Sequence, residues 1–359
     1  MRRPRVIGLR LVAETTPITS LLSQVLVALT IEADNEFEHR TPHFTTDHGP
    51  KPWRGVWLGS YATFANFLRF VADDGIVMRD LAAKAGYPPP VHPAYHGMRR
   101  WGYVTYEPDI AGSTPKKSDA DALVRLTPAG KEAFGAWQAV AAEMKQRWAA
   151  RGLDTLQAAL IPLVDDIDRP LPEYMPSVSW DRRQPELSEP QSRPAIELDL
   201  LGLLSQLLLA MTYDFEAKSE MSLGTYSGLL DPLTAESVPT RNLYEITGVA
   251  AKEWSSAMNQ LAKLGLVTVG GKPKSIALTD DGVAAKAAAA KTLASVEAAW
   301  AKKYGVSLAH LRNELERVVG DAWEWTEPYP DNWRAKVKVP HRLAHHPIVS
   351  HRGGYPDGS

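Results

Sequence analysis

Leu21-Leu22-Ser23-Gln24-Val25-Leu26-Val27-Ala28-Leu29-Thr30 returns later in the chain as Leu203-Leu204-Ser205-Gln206-Leu207-Leu208-Leu209-Ala210-Met211-Thr212. Downstream of the first copy stand Trp101-Gly102-Tyr103-Val104-Thr105, then Leu126-Thr127-Pro128-Ala129-Gly130 and Trp148. Downstream of the second stand Leu264-Gly265-Leu266-Val267-Thr268, then Leu278-Thr279-Asp280-Asp281-Gly282 and Trp300. Three matching stations in one order, separated by helical sequence, indicate a duplicated domain. Apolar residues in both decapeptides are too frequent for a one-sided amphipathic helix, so each is expected to bury a core face and a partner face.

A chain of 359 residues agrees with two such lobes, each with its own core. Hydrophobic content of 44% and charged content of 23% describe a soluble globular protein. The chain contains no apolar run of about 18 residues, and Met1-Arg2-Arg3-Pro4-Arg5 does not lead into a signal-peptide core, so a cytoplasmic location is expected. The absence of cysteine excludes disulfides, thiolate nucleophiles and cysteine-ligated zinc. With a net charge of −2, any attraction to nucleic acid must come from a local basic face.

The periodicity divides the chain into a basic arm (1–17), a first lobe (18–167), a proline-rich linker (168–194), a second lobe (195–319) and a tail (320–359). In the first lobe it predicts helices over Ile18–Glu38, Tyr61–Ala72, Met78–Ala85 and Val91–Trp101, with 39–57 as an insertion. Strands follow at Tyr103–Glu107 and Ala122–Leu126, joined by a long polar hairpin. Thr127 is placed to N-cap a long helix with Pro128 at its first position, and Asp154–Asp165 closes the lobe. The second lobe repeats the order as Ile196–Met221, Leu223–Leu233, Thr240–Thr247 and Ala250–Leu264, then strands Leu266–Val269 and Ser275–Leu278 around a tight tip. Thr279 caps the next helix, and Ser307–Val319 closes the lobe. The expected fold is mainly α with small β-wings: two tandem winged helix-turn-helix lobes packed through long terminal helices.

Met258-Asn259-Gln260-Leu261-Ala262-Lys263-Leu264-Gly265-Leu266-Val267, a short hairpin and Leu278-Thr279-Asp280-Asp281-Gly282 resemble the winged helix-turn-helix of the MarR family of bacterial transcription regulators. Met98-Arg99-Arg100-Trp101-Gly102-Tyr103-Val104 and Leu126-Thr127-Pro128-Ala129-Gly130 carry the same signature more weakly. The resemblance implies a sequence-specific duplex DNA-binding transcriptional regulator. Its dimer helices would map onto 18–38, 128–165, 196–221 and 280–319, giving one chain that is a monomeric pseudo-dimer. It also leaves room for a small-molecule effector. Pro93, Tyr95 and His96 depart from the family's small polar residues in the first recognition segment.

In the second lobe, Lys252, Ser255, Ser256, Asn259 and Lys263 share one side of a helix whose Trp254, Met258, Leu261 and Leu264 face a core. Serine and asparagine suit base edges, and lysine suits phosphate or guanine. In the first lobe, His92, Tyr95, His96, Arg99 and Arg100 form a basic and aromatic cluster at similar spacing. Lys116, Lys117 and Arg125 in the long wing, and Lys272 and Lys274 in the short one, are placed to follow a phosphate backbone.

The histidines of the tail (His341, His345, His346, His351) and of 39–48 lie in proline-rich sequence without a His-Glu-x-x-His motif, so no metal is expected. No nucleotide fingerprint is present and no cofactor is expected. Gly224-Thr225-Tyr226-Ser227-Gly228 has the spacing of a nucleophile elbow but falls within a predicted helix, which argues against an enzyme. The competing reading is a winged-helix scaffold for proteins, without base-specific contacts. The tail, with three tryptophans, is expected to lie over the lobes or to stay partly disordered, or to serve as a basic arm.

Overall fold

The computed structural model describes residues 16–41, 59–85, 97–99, 101–109, 116–175, 183, 194–249, 251–332, 335 and 342–348. They form a mainly helical protein with two small antiparallel sheets. Helix α1 (Ile18–Arg40) is covered on all sides, and so is α6 (Leu200–Glu216). Between and around them lie α4 (Pro128–Ala150), α5 (Asp154–Asp165), α9 (Asp280–Tyr304) and α10 (Val306–Trp325).

The main contacts among these helices correspond when the two halves are exchanged. Helix α1 packs on α10 and on α4, while α6 packs on α5 and on α9; α1 meets α6, and α5 meets α10. Each first helix thus lies against the last helix of the other half. This accounts for the dense apolar content of both decapeptides, because a helix with neighbours all round has no solvent stripe. Solution mass is therefore expected to stay at 39.5 kDa on dilution. Light scattering showing twice that mass would mean that a further apolar face is covered by a second copy.

The duplication extends to individual hydrogen bonds. Trp148 Nε1 donates to Glu32 at 3.0 Å, and Trp300 Nε1 to Asp214 at 2.8 Å. Glu32 and Asp214 each stand two residues after the matched threonine, and those threonines bond back to Leu26 and Leu208. Asp34 accepts from the Tyr61 amide, and Glu216 from the Leu223 amide. Thr127 and Thr279 accept from the amides of Gly130 and Gly282, each at 3.0 Å, as predicted for N-caps. In α1 the buried Glu32 is further neutralised by Arg147 and Arg151, at 3.3 and 2.8 Å.

One sheet joins β1 (Ile76–Val77), β3 (Leu123–Leu126) and β2 (Val104–Glu107) in that order. The other joins β4 (Val238–Pro239), β6 (Ser275–Leu278) and β5 (Val267–Gly270). The hairpins were legible from alternation, but the two-residue strands β1 and β4 are too short to carry a period.

Several boundaries differ from expectation. Helix α6 begins at Leu200, where Asp199 caps it, and ends at Glu216, well inside Ile196–Met221. Helix α2 (Tyr61–Asn66) stops short of Ala72, and a 3₁₀ turn, Leu68–Phe70, follows it. The segment expected as a helix over Leu223–Leu233 is wound as a π-helix, Gly224–Leu230. Thr240–Asn242 is a 3₁₀ turn leading into α7 (Leu243–Thr247). Helix α3 (Met78–Ala85) is as predicted, and residues 97–99 are helical; most of the expected Val91–Trp101 helix lies outside the described residues.

The start of the linker is not a loose tether. Leu171 and Met175 are buried, and Asn66 donates to the Met175 carbonyl at 3.0 Å. Nor does the tail run free where it is described, since Leu343, Ala344, His346 and Ile348 are buried.

Candidate nucleic-acid interface

In the second half, α8 (Ala251–Lys263) buries Trp254, Ala257, Met258 and Leu261 and exposes Ser255, Ser256, Asn259, Gln260 and Lys263. Trp254 is fixed at both ends: its ring sits in the core, and its Nε1 donates to Thr247 Oγ1 at 3.0 Å. The same hydroxyl oxygen accepts the Val249 amide, tying α7, the turn at Gly248 and α8 into one unit. Leu264 was expected to face the core but is 61% exposed, because the helix has ended and Gly265 turns the chain toward β5.

The tip between β5 and β6 exposes Lys272 and Lys274. Neither they nor Lys263 forms an ion pair among the described residues, so their charge is directed to solvent. The side chain of Lys252 lies outside the described residues. Gln260 was missed by the sequence reading, although its position four residues after Ser256 places it on the same face.

The first half presents a different surface. Arg99 pairs with Asp109 at 2.7 Å, and its guanidinium lies 5.7 Å from the centre of the Tyr106 ring. Arg125 meets Glu107 at 3.1 Å and donates to the Asp74 carbonyl at 2.7 Å. Lys116 is exposed, with its own amide held by Asp119 at 2.6 Å. Lys117 opens a 3₁₀ turn, but its side chain lies outside the described residues, as do His92, Tyr95, His96 and Arg100. Residues 97–127 hold five basic and four acidic residues, whereas 251–279 hold four basic and one acidic. The equivalent hairpins therefore differ in charge balance as well as in length.

Among the described residues, no group of three or more His, Asp or Glu could hold a metal ion. Ser227 is buried in the π-helix with its hydroxyl unpaired among the described residues. A cleft of about 370 Å³ lies where α4, α5 and the start of α6 meet, lined by Tyr61, Lys145, Trp148, Gln157 and Asp199. No helix among the described residues is long and apolar enough to cross a membrane. Comparisons with family models, with curated proteins and with solved structures found no match.

Proposed function

We propose that the chain is a cytoplasmic, duplex DNA-binding transcription regulator, not an enzyme, built as two tandem winged helix-turn-helix lobes that act as a MarR-like pseudo-dimer. The observation that carries this reading is the outward face of α8: Ser255, Ser256, Asn259, Gln260 and Lys263 stand exposed beside Lys272 and Lys274, over a helix anchored by Trp254. An α-helix fits the major groove, its short polar side chains can meet base edges, and lysines on an adjacent hairpin can meet phosphates. The cleft beside Tyr61 and Trp148 is the place for a small-molecule effector.

Asn259→Ala is expected to lower discrimination between the preferred duplex and a scrambled one by roughly 5- to 100-fold, the value of one good base contact. Lys272→Ala is expected to weaken both duplexes alike, as loss of a phosphate contact does. Titration of each variant with both duplexes separates the roles. Equal loss for both variants on both DNAs would refute the assignment.

The scaffold reading draws support from the first half alone. Ion pairing of Arg99 and Arg125 leaves a nearly balanced surface, better suited to a polar protein partner than to a polyanion.

A further inference from the structure

Residues 342–348 thread a groove whose walls include two glycines. On one side, Ser23 of α1 donates its hydroxyl to the Ala344 carbonyl at 2.8 Å. On the other, a Cβ on Gly248 would lie 2.8 Å from the Ala344 amide nitrogen and from the Arg342 carbonyl oxygen. A Cβ on Gly228 would lie 2.5 Å from Ile348 Cδ1. A side chain at either glycine would narrow the groove. Within it the segment forms neither helix nor strand, yet it is sequestered: Leu343 and Ala344 join the central core, while Ile348 joins the separate core under α8 with Val249, Trp254 and Leu261.

We infer that this groove is a binding site for an extended peptide, that 342–348 is its intramolecular occupant, and that its occupancy holds the turn leading into α8. The recognition chemistry is legible in the contacts: a small residue between Ser23 and Gly248, a neutral imidazole at 346, and a branched aliphatic side chain on Gly228. The clasp thus contributes side chains to both apolar cores. Docking of 342–348 does not depend on what the outward face of α8 binds.

Protonation bears on the same contact. Burial pushes the His346 ring down to about 3 from 6.5, and no charged group faces it among the described residues. A released ring takes up a proton near 6.5, so docking weakens about tenfold per pH unit below that value. His345, also lowered by burial, lies 3.8 Å from Asp231 and beside Arg342, and Asp231 in turn faces Lys286. Burial works upward on the Asp231 carboxyl, but the His345 ring and Lys286 outweigh it and hold it below its ordinary value. Acid therefore weakens this contact as well.

The full-length chain has no cysteine, so one introduced thiol reports alone. Ala344→Cys reads the clasp, Ala257→Cys the core under α8, and Ala322→Cys the central core, each at a buried position. Labelling of the residue 344 thiol is expected to be at least 100-fold slower than in urea-unfolded protein. Ile348→Asp is expected to speed labelling at 344 and 257 tenfold or more and to leave 322 unchanged. Ser23→Ala, a milder release, is expected to give a several-fold rise at 344 and 257, and it decides the question should Ile348→Asp also expose 322. Lowering the pH from 7.5 to 5.5 is expected to raise the rate at 344, relative to the unfolded thiol, at least tenfold. Labelling at 344 as fast as in unfolded protein, or release of 344 with 257 unmoved, would overturn the inference. Protection that grows with protein concentration would also overturn it, by showing that a second copy supplies the occupant.

Discussion

Gly282→Ala is expected to destabilise the protein by about 3 kcal/mol, and Gly130→Ala to do the same in the other half. A Cβ at Gly282 would stand 1.9 Å from the Leu266 carbonyl oxygen, and one at Gly130 2.0 Å from that of Tyr103. Both carbonyls are already engaged, accepting from the amides of Thr279 and Thr127. The methyl group can fit only if the first turn of α9 or α4 moves away from its strand, which breaks that bond and the cap with it. Gly135→Ala is the control, since nothing lies within 4 Å of its added Cβ. There a helix-interior glycine is replaced by the best helix former, with an expected gain of up to about 1 kcal/mol. Urea unfolding of the three variants tests the contrast. A cost below that of an ordinary surface substitution at Gly282 would mean that the helix start is not seated against the strand.

The second large effect is electrostatic. With about four lysines of the second half on phosphates, raising salt from about 50 to 200 mM should weaken duplex binding roughly 100-fold. With Lys263, Lys272 and Lys274 replaced by alanine, the same change should cost only about fourfold. Replacing Arg99 and Arg125 should leave the wild-type salt slope nearly intact, because both already have carboxylate partners. Anisotropy titrations at several salt concentrations give all three slopes. Equal slopes for wild type and the triple-lysine variant would remove the basis for placing phosphate on this hairpin.

The features legible in the sequence were those carried by local pattern. Thr127 and Thr279 announce helix starts through side chain and position, and Ser275–Leu278 alternates as its strand requires. The outward face of α8 could likewise be read from spacing, down to Ser255, Ser256 and Asn259. The rest depended on distant partners. Nothing near Arg99 or Arg125 in periodicity shows that Asp109 and Glu107 fold back onto them. Exposure of Leu264 follows from where the helix stops, which spacing alone leaves open within a residue or two. The seat of 342–348 is set by Ser23, Gly228 and Gly248, residues too far away in the chain for any window to join.

The pairing of α1 with α6 has a consequence for copy number. In a homodimer the two equivalent helices come from separate chains, so the fraction assembled falls as the protein is diluted. Here both are parts of one polypeptide, and their encounter is unimolecular. Its effective concentration is set by chain length and not by expression level. On the proposed DNA-binding reading, occupancy of a site is expected to follow total protein linearly down to a handful of molecules per cell, without the quadratic threshold that subunit association would impose.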